Sequence, residues 1–152
     1  MKIVFLDIDG VLNSRQYDDR RSPRDGNIDE SRLPLLKQLV DLTAANIVLT
    51  SSWRCHWDPE GKETDAVGRE LARTFQEAGA RLYDRTPVLG HRAKEIGAWL
   101  HAHPVERFVI LDDIKLGWGC LEPYTVKTDY RIGRGLEQRH IECAIEILMK
   151  AE

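Results

Sequence analysis

Residues 7–13 of this 152-residue chain read Asp-Ile-Asp-Gly-Val-Leu-Asn and follow an apolar run at residues 3–6. The run has the character of a buried strand. It ends on two carboxylates, Asp7 and Asp9, followed at once by Gly10. Spacing by two in extended chain puts both on one side, about 7 Å apart. A turn starting at Gly10 then folds the second back over the first. Carboxylates at the carboxyl end of a parallel strand stand where open α/β sheets place their ligands. Such a pair suits one Mg²⁺, one nucleophile and one proton carrier.

Two further strand ends carry polar groups. The run Ile47, Val48, Leu49 leads into Thr50, Ser51 and Ser52, and residues 107–111 lead into Asp112 and Asp113. Lys94 opens the helix expected before that last strand. An acidic cluster, a hydroxyl and a fixed cation are what phosphoryl transfer needs, because Mg²⁺ and oriented donors neutralise charge on the transferring group. One carboxylate can attack, and a second must protonate the leaving oxygen and later activate water.

The elements that position these groups alternate along the chain. Strands are expected at residues 3–6, 47–49, 81–83, 107–111 and 124–127. Helices are expected from about residue 29, at 65–78, at 91–103 and at 135–149, with Gly79 and Pro104 closing the second and third. Leu33, Leu36, Leu39 and Val40 give the first helix an apolar face. Residues 13–28 are polar and without period, and read as a flap-like loop. The alternation predicts an α/β fold built on a doubly wound parallel sheet of about five strands. For Asp7 and Asp112 to share one metal, the first and fourth strands must be neighbours.

Apolar content of 42% and charged content of 31% are ordinary for one globular domain, here residues 1–152. The net charge of −3 advertises no global basic field for nucleic acid. Three scattered cysteines, Cys55, Cys120 and Cys143, form no disulfide framework and fit a reducing cytoplasm. With the first strand starting near residue 2, no signal peptide is expected, and no apolar run has the length of a membrane span.

On these residues the chain resembles the haloacid dehalogenase (HAD) superfamily of phosphohydrolases, whose four motifs it matches in order over residues 3–113. They are Asp7 to Val11, Thr50 after its strand, Lys94, and Asp112 with Asp113. The resemblance implies a Rossmann-like three-layer sandwich. It also implies that Asp7 is the nucleophile and an Mg²⁺ ligand. Asp9 would be the general acid/base and give its backbone carbonyl to the metal. Thr50 and Lys94 would hold the phosphoryl oxygens, Asp112 would ligate Mg²⁺ directly or through water, and Asp113 would support it. Gly10 lets the backbone approach the phosphate. Ser51 and Arg54 join Gly10, Thr50 and Lys94 as candidate phosphate-binding residues.

An acid at position 9 argues against the family's ATPases, which carry threonine there, and against its dehalogenases, which lack the metal set. The intervals where the family inserts caps are short here, so the chain looks capless. An uncovered site suits an extended substrate such as a nucleic-acid end or a phosphoprotein. Within capless members the chain is most similar to domains linked with RNA-end repair, on residues 49–54 and, more loosely, Thr128, Asp129 and residues 133–136. The expected substrate is therefore a nucleic-acid end or nucleotide, with a phosphoprotein as alternative. A receiver-like phospho-switch would order its acids and lysine differently along the chain, and a silent binding module would not need the full set. The sequence names no protein partner.

Trp53, Arg54, His56 and Trp57 follow Thr50 and either line the site mouth as a base-stacking platform or pack beneath the loop. Trp118 is equally ambiguous. Trp99 and Cys143 are expected in the core. Arg15, Arg20, Arg21 and Arg24 alternate with Asp18, Asp19 and Asp25, as on a solvated loop.

Overall fold

The computed structural model describes residues 1–151. Its centre is a parallel sheet of five strands: β1 (Lys2–Leu6), β2 (Asn46–Leu49), β3 (Leu82–Arg85), β4 (Arg107–Asp112) and β5 (Thr125–Lys127), in the order β3-β2-β1-β4-β5. The first and fourth strands are neighbours, with Leu6 beside Leu111.

Because strand side chains alternate between faces, β1 feeds two cores. Val4 and Leu6 join Leu36 and Leu39 of α2 (Leu33–Thr43), Phe75 of α3 (Ala66–Glu77) and Ile141 and Leu148 of α5 (Gln138–Met149). Ile3 and Phe5 join Ile96 and Trp99 of α4 (Arg92–Ala102) and Trp118 on the other face. The chain winds outward through β1, β2 and β3, then jumps back past both to β4. A right-handed crossover running in the reverse direction lays its helix on the opposite face, which is where α4 lies. The result is a three-layer α/β sandwich with no separate cap.

Several local expectations change. Residues 13–28 are not all loop: α1 (Arg15–Arg20) forms one short helix, capped by the Ser14 hydroxyl, which accepts from Tyr17 N. The segment is tied down, with Asp29 N donating to Leu12 O at 2.7 Å and the Tyr17 hydroxyl donating to Gly26 O and Ile28 O. The last helix begins at Gln138 rather than Gly135, because Gly135 takes a left-handed φ of 72° that a helix cannot continue from. Cys143 is exposed, not in the core, since α5 turns Ile141, Ala144 and Leu148 inward instead. No described helix is long and apolar enough to cross a membrane.

Candidate active site

Three adjacent strands end at one level. Thr50 N donates to Leu6 O, Asp7 N to Leu111 O, and Thr128 N to Asp112 O, at 2.9, 3.1 and 3.0 Å. The ladder thus runs one residue beyond β2, β1 and β5, and it fixes Thr50 and Asp7 beside Asp112 at the end of β4. All three are buried, Thr50 and Asp112 completely.

Asp7, Asp112 and Asp113 each offer a carboxylate oxygen, and these atoms lie within 4.8 Å of one another. The cation on this cluster is Arg92, whose Nη1 donates to Asp112 Oδ2 at 2.6 Å and stands 3.5 Å from Asp7 Oδ1. Burial, reinforced by Asp112 and opposed by Arg92, pushes the Asp7 carboxyl up to about 7. Burial and then Asp112 also raise Asp113. Burial works against the Arg92 charge, but Asp7, Asp112 and the hydrogen bond to Asp112 outweigh it, so its pKa is raised. Three carboxylates against one guanidinium leave an excess of negative charge that a divalent cation would balance. The residues therefore fit Mg²⁺, which favours carboxylate oxygens in an octahedral shell. Asp7, Asp112 and Asp113 would hold it.

The resemblance placed Lys94 here, but Lys94 is exposed and makes no ion pair or hydrogen bond among the described residues. Helix register is the reason: two residues along a helix rotate a side chain by roughly 200°, so Lys94 faces away from the side that Arg92 presents. Arg54 is no phosphate ligand either. Its buried guanidinium donates to Thr86 O, Thr50 O, Ser51 O, Pro87 O and Glu95 Oε2, which uses its five N–H groups. Burial lowers its pKa and Glu95 opposes that. Glu95 accepts from Leu89 N as well, and its Oε1 lies 3.8 Å from Arg92 Nε. Arg54 and Glu95 thus tie the ends of β2 and β3 to α4 and support Arg92. The Ser51 hydroxyl is buried and caps the following 3-10 turn by accepting from Trp53 N.

Thr50 is different. Its Oγ1 is buried with no hydrogen-bond partner, a costly state unless something arrives to fill it. It sits beside Asp7 and is suited to donate to a phosphoryl oxygen.

Asp9 stands outside the acidic cluster, exposed at the mouth. Asn13 Nδ2 donates to its Oδ1 at 2.9 Å, and Trp53 Nε1 approaches its Oδ2 at 3.4 Å. Asn13, itself buried, also accepts from Gly10 N and donates to Asn27 O. Gly10 has φ 83°, and a Cβ there would run into the Asp113 carboxylate. Thr128 Oγ1 donates to Gly10 O at 2.6 Å. Trp57 and Trp118 are buried in the cores and cannot stack on a ligand, whereas Trp53 is half-buried at the mouth. Sequence reasoning passed over Asn13, Arg92 and Glu95. The i, i+3 spacing of Arg92 and Glu95 on one helix face was the available signal.

A family model described as the HAD domain in Swiss Army Knife RNA repair proteins matches residues 3–141. No curated protein and no solved structure matches the chain.

Proposed function

Because the chain belongs to the HAD domains of Swiss Army Knife RNA repair proteins, a phosphohydrolase-type family, we propose that it is a Mg²⁺-dependent phosphomonoesterase. Its substrate would be a nucleic-acid end or a nucleotide, cleaved through an aspartyl-phosphate. The observation that carries this reading is the buried, partnerless Thr50 hydroxyl beside Asp7, Asp112 and Arg92 on neighbouring strand ends.

In the first step an Asp7 carboxylate oxygen attacks phosphorus and the bond to the leaving oxygen breaks. Asp9 gives that oxygen its proton. In the second, Asp9 takes a proton from water, which attacks the acyl phosphate, releases inorganic phosphate and restores Asp7. Arg92 and the Thr50 hydroxyl steady the phosphoryl oxygens throughout. Bound Mg²⁺ would supply further neutralisation of phosphoryl charge and keep Asp7 ionised. Asn13 holds Asp9 ready, and Thr128 holds the Gly10 turn beneath it.

The test is phosphate release across acetyl phosphate, mononucleotides, 3′- and 5′-phosphorylated oligonucleotides and a phosphopeptide, with Asp7→Asn beside the wild type. Preference for an oligonucleotide or nucleotide, abolished by chelation and by Asp7→Asn, supports the reading. Preference for the phosphopeptide would replace the substrate. No turnover of anything by folded protein would replace the mechanism.

A further inference from the structure

Beside the site lies a cleft of about 980 Å³, walled on one side by the tied-down segment after α1 and on the other by the outer face of α3. Val67 is exposed in it over a largely buried floor of Ile8, Ile28 and Leu71, and Trp53 lines the cleft near Asp9. Resting on the phosphatase reading above, the geometry points to this cleft as the binding site for the terminal one or two nucleotides of a phosphorylated strand, with the end base against Trp53.

Proton transfer narrows the direction to the two openings at Asp9, and Trp53, 3.4 Å from Asp9 Oδ2, ties Asp9 to the cleft. The oxygen that takes the Asp9 proton belongs to the alcohol half of the substrate. That half must therefore begin beside Asp9, where the Trp53 indole stands. The volume is of the class that encloses a compact small-molecule ligand. The other opening beside Asp9, about 530 Å³, takes in Asp113 and so is the mouth of the metal site itself, where a bound Mg²⁺ would offset the acids. Asp9, Asp18, Asp113 and Asp129 line it against only Lys115 and Arg131.

Charge sets the length of strand recognised. Four arginines and four acids line the cleft, so it is no electrostatic track. Arg73 is paired with Glu70 and Glu77, and Arg21 with Asp18, while Arg20 has Asp29 at 3.7 Å. Arg24 has no ion pair among the described residues and is the free cation of the group. One free guanidinium accommodates one internucleotide phosphate. Affinity should then come from stacking and apolar contact rather than from a run of backbone contacts.

The experiment compares acetyl phosphate, a phosphorylated dinucleotide and a phosphorylated decanucleotide on the wild type, Trp53→Ala, Trp53→Phe and Val67→Glu. Binding of the unphosphorylated dinucleotide to Asp7→Asn is followed in parallel by tryptophan fluorescence. The dinucleotide and decanucleotide should agree in kcat/KM within about threefold. The slope of log(kcat/KM) on log[salt] should be shallow, roughly −0.7 as for one phosphate on a single strand. Trp53→Ala should raise KM for the dinucleotide about tenfold, in line with the loss of one stacked base, and Trp53→Phe should restore most of it. Val67→Glu should lower the dinucleotide-to-acetyl-phosphate ratio of kcat/KM. Turnover of acetyl phosphate with oligonucleotide kinetics indifferent to residues 53 and 67 would overturn the cleft and leave the phosphatase standing. A decanucleotide preferred tenfold with a steep salt slope would also overturn it. No turnover of any substrate, with quenching of Asp7→Asn fluorescence that disappears in Trp53→Phe, would keep the cleft and remove the catalytic reading. No turnover and no quenching would remove both.

Discussion

The buried Arg54–Glu95 pair makes the sharpest demand on the fold. The side chains are 6% and 5% exposed, and Nη2 meets Oε2 at 2.8 Å. Glu95→Gln preserves size but leaves the Arg54 charge buried without its counter-ion. Removing one partner of a buried ion pair costs roughly 3–5 kcal/mol, a large share of the roughly 5–15 kcal/mol that holds a domain together. For a chain of this size each kcal/mol lowers Tm by about 2–4 °C, so the expected loss is roughly 6–20 °C. Urea unfolding near 15 °C reads the free energy directly, and a thermal scan checks it. The amide still accepts from Leu89 N, so the drop belongs to charge rather than to a lost cap. Where the variant remains folded, loss of the carboxylate 3.8 Å from Arg92 Nε should lower kcat more than it raises KM. Arg54→Met would strip donors from four backbone carbonyls at once and is expected not to fold. A Glu95→Gln protein within about 1 kcal/mol of wild type would refute the reasoning, because the pair would then be ornamental to three loops it physically joins.

Thr50→Val removes a hydroxyl that has no partner; stability should hold or rise by up to about 1 kcal/mol, while phosphate release falls by at least tenfold in the same preparation. Arg92→Ala should cost about a hundredfold in kcat, and Lys94→Ala, on the exposed helix face, should stay within about twofold; steady-state kinetics compares them. Gly10→Ala, which puts a Cβ against Asp113 and strains a φ of 83°, should abolish activity and weaken Mg²⁺ binding in a calorimetric titration. Asp7, raised to about 7 from 3.8, binds a proton in the folded metal-free protein that the unfolded chain has lost. Metal-free stability should therefore fall as pH rises from about 4 to 7. Mg²⁺ competes with that proton, so its Tm increment should be larger at pH 8 than at pH 5.5, with proton release on binding near pH 6.

The sheet was legible because two kinds of signal coincided. Apolar runs marked the strands, and the polar groups that ended them marked which edge was functional. Neighbouring β1 and β4 followed from the need of Asp7 and Asp112 to meet. The short helix at Arg15–Arg20 was not legible: it has no buried residue and so no apolar period. Its stability comes from the Ser14 cap and from contacts with residues far along the chain, such as Arg15 N on Tyr130 O. Arg54 looked like a phosphate ligand because it lies in the stretch after Thr50 that resembles the RNA-end-repair domains. Five acceptors converging from Thr50, Ser51, Thr86, Pro87 and Glu95 cannot be read from its neighbours in sequence.

The cation shows how far a motif carries. The motif asks for a lysine at a helix start, which is Lys94, but the cation that the fold brings to the acids is Arg92. What separates them is angular. α4 must bury Ile96 and Trp99 against Phe5 and Ile110, and that fixes its rotation about its own axis. With the rotation fixed, the stripe that includes positions 92 and 95 faces the strand ends, and position 94 faces solvent. The apolar residues deeper in the helix thus choose which cation serves the site. Shifting that choice needs more than exchanging identities: Arg92→Lys would keep one charged nitrogen for Asp112 and Asp7, which Nη1 alone reaches now, but would lose the Nε that faces Glu95 Oε1. An Arg92→Ala protein is not expected to be rescued by the native Lys94, two residues away on the wrong face.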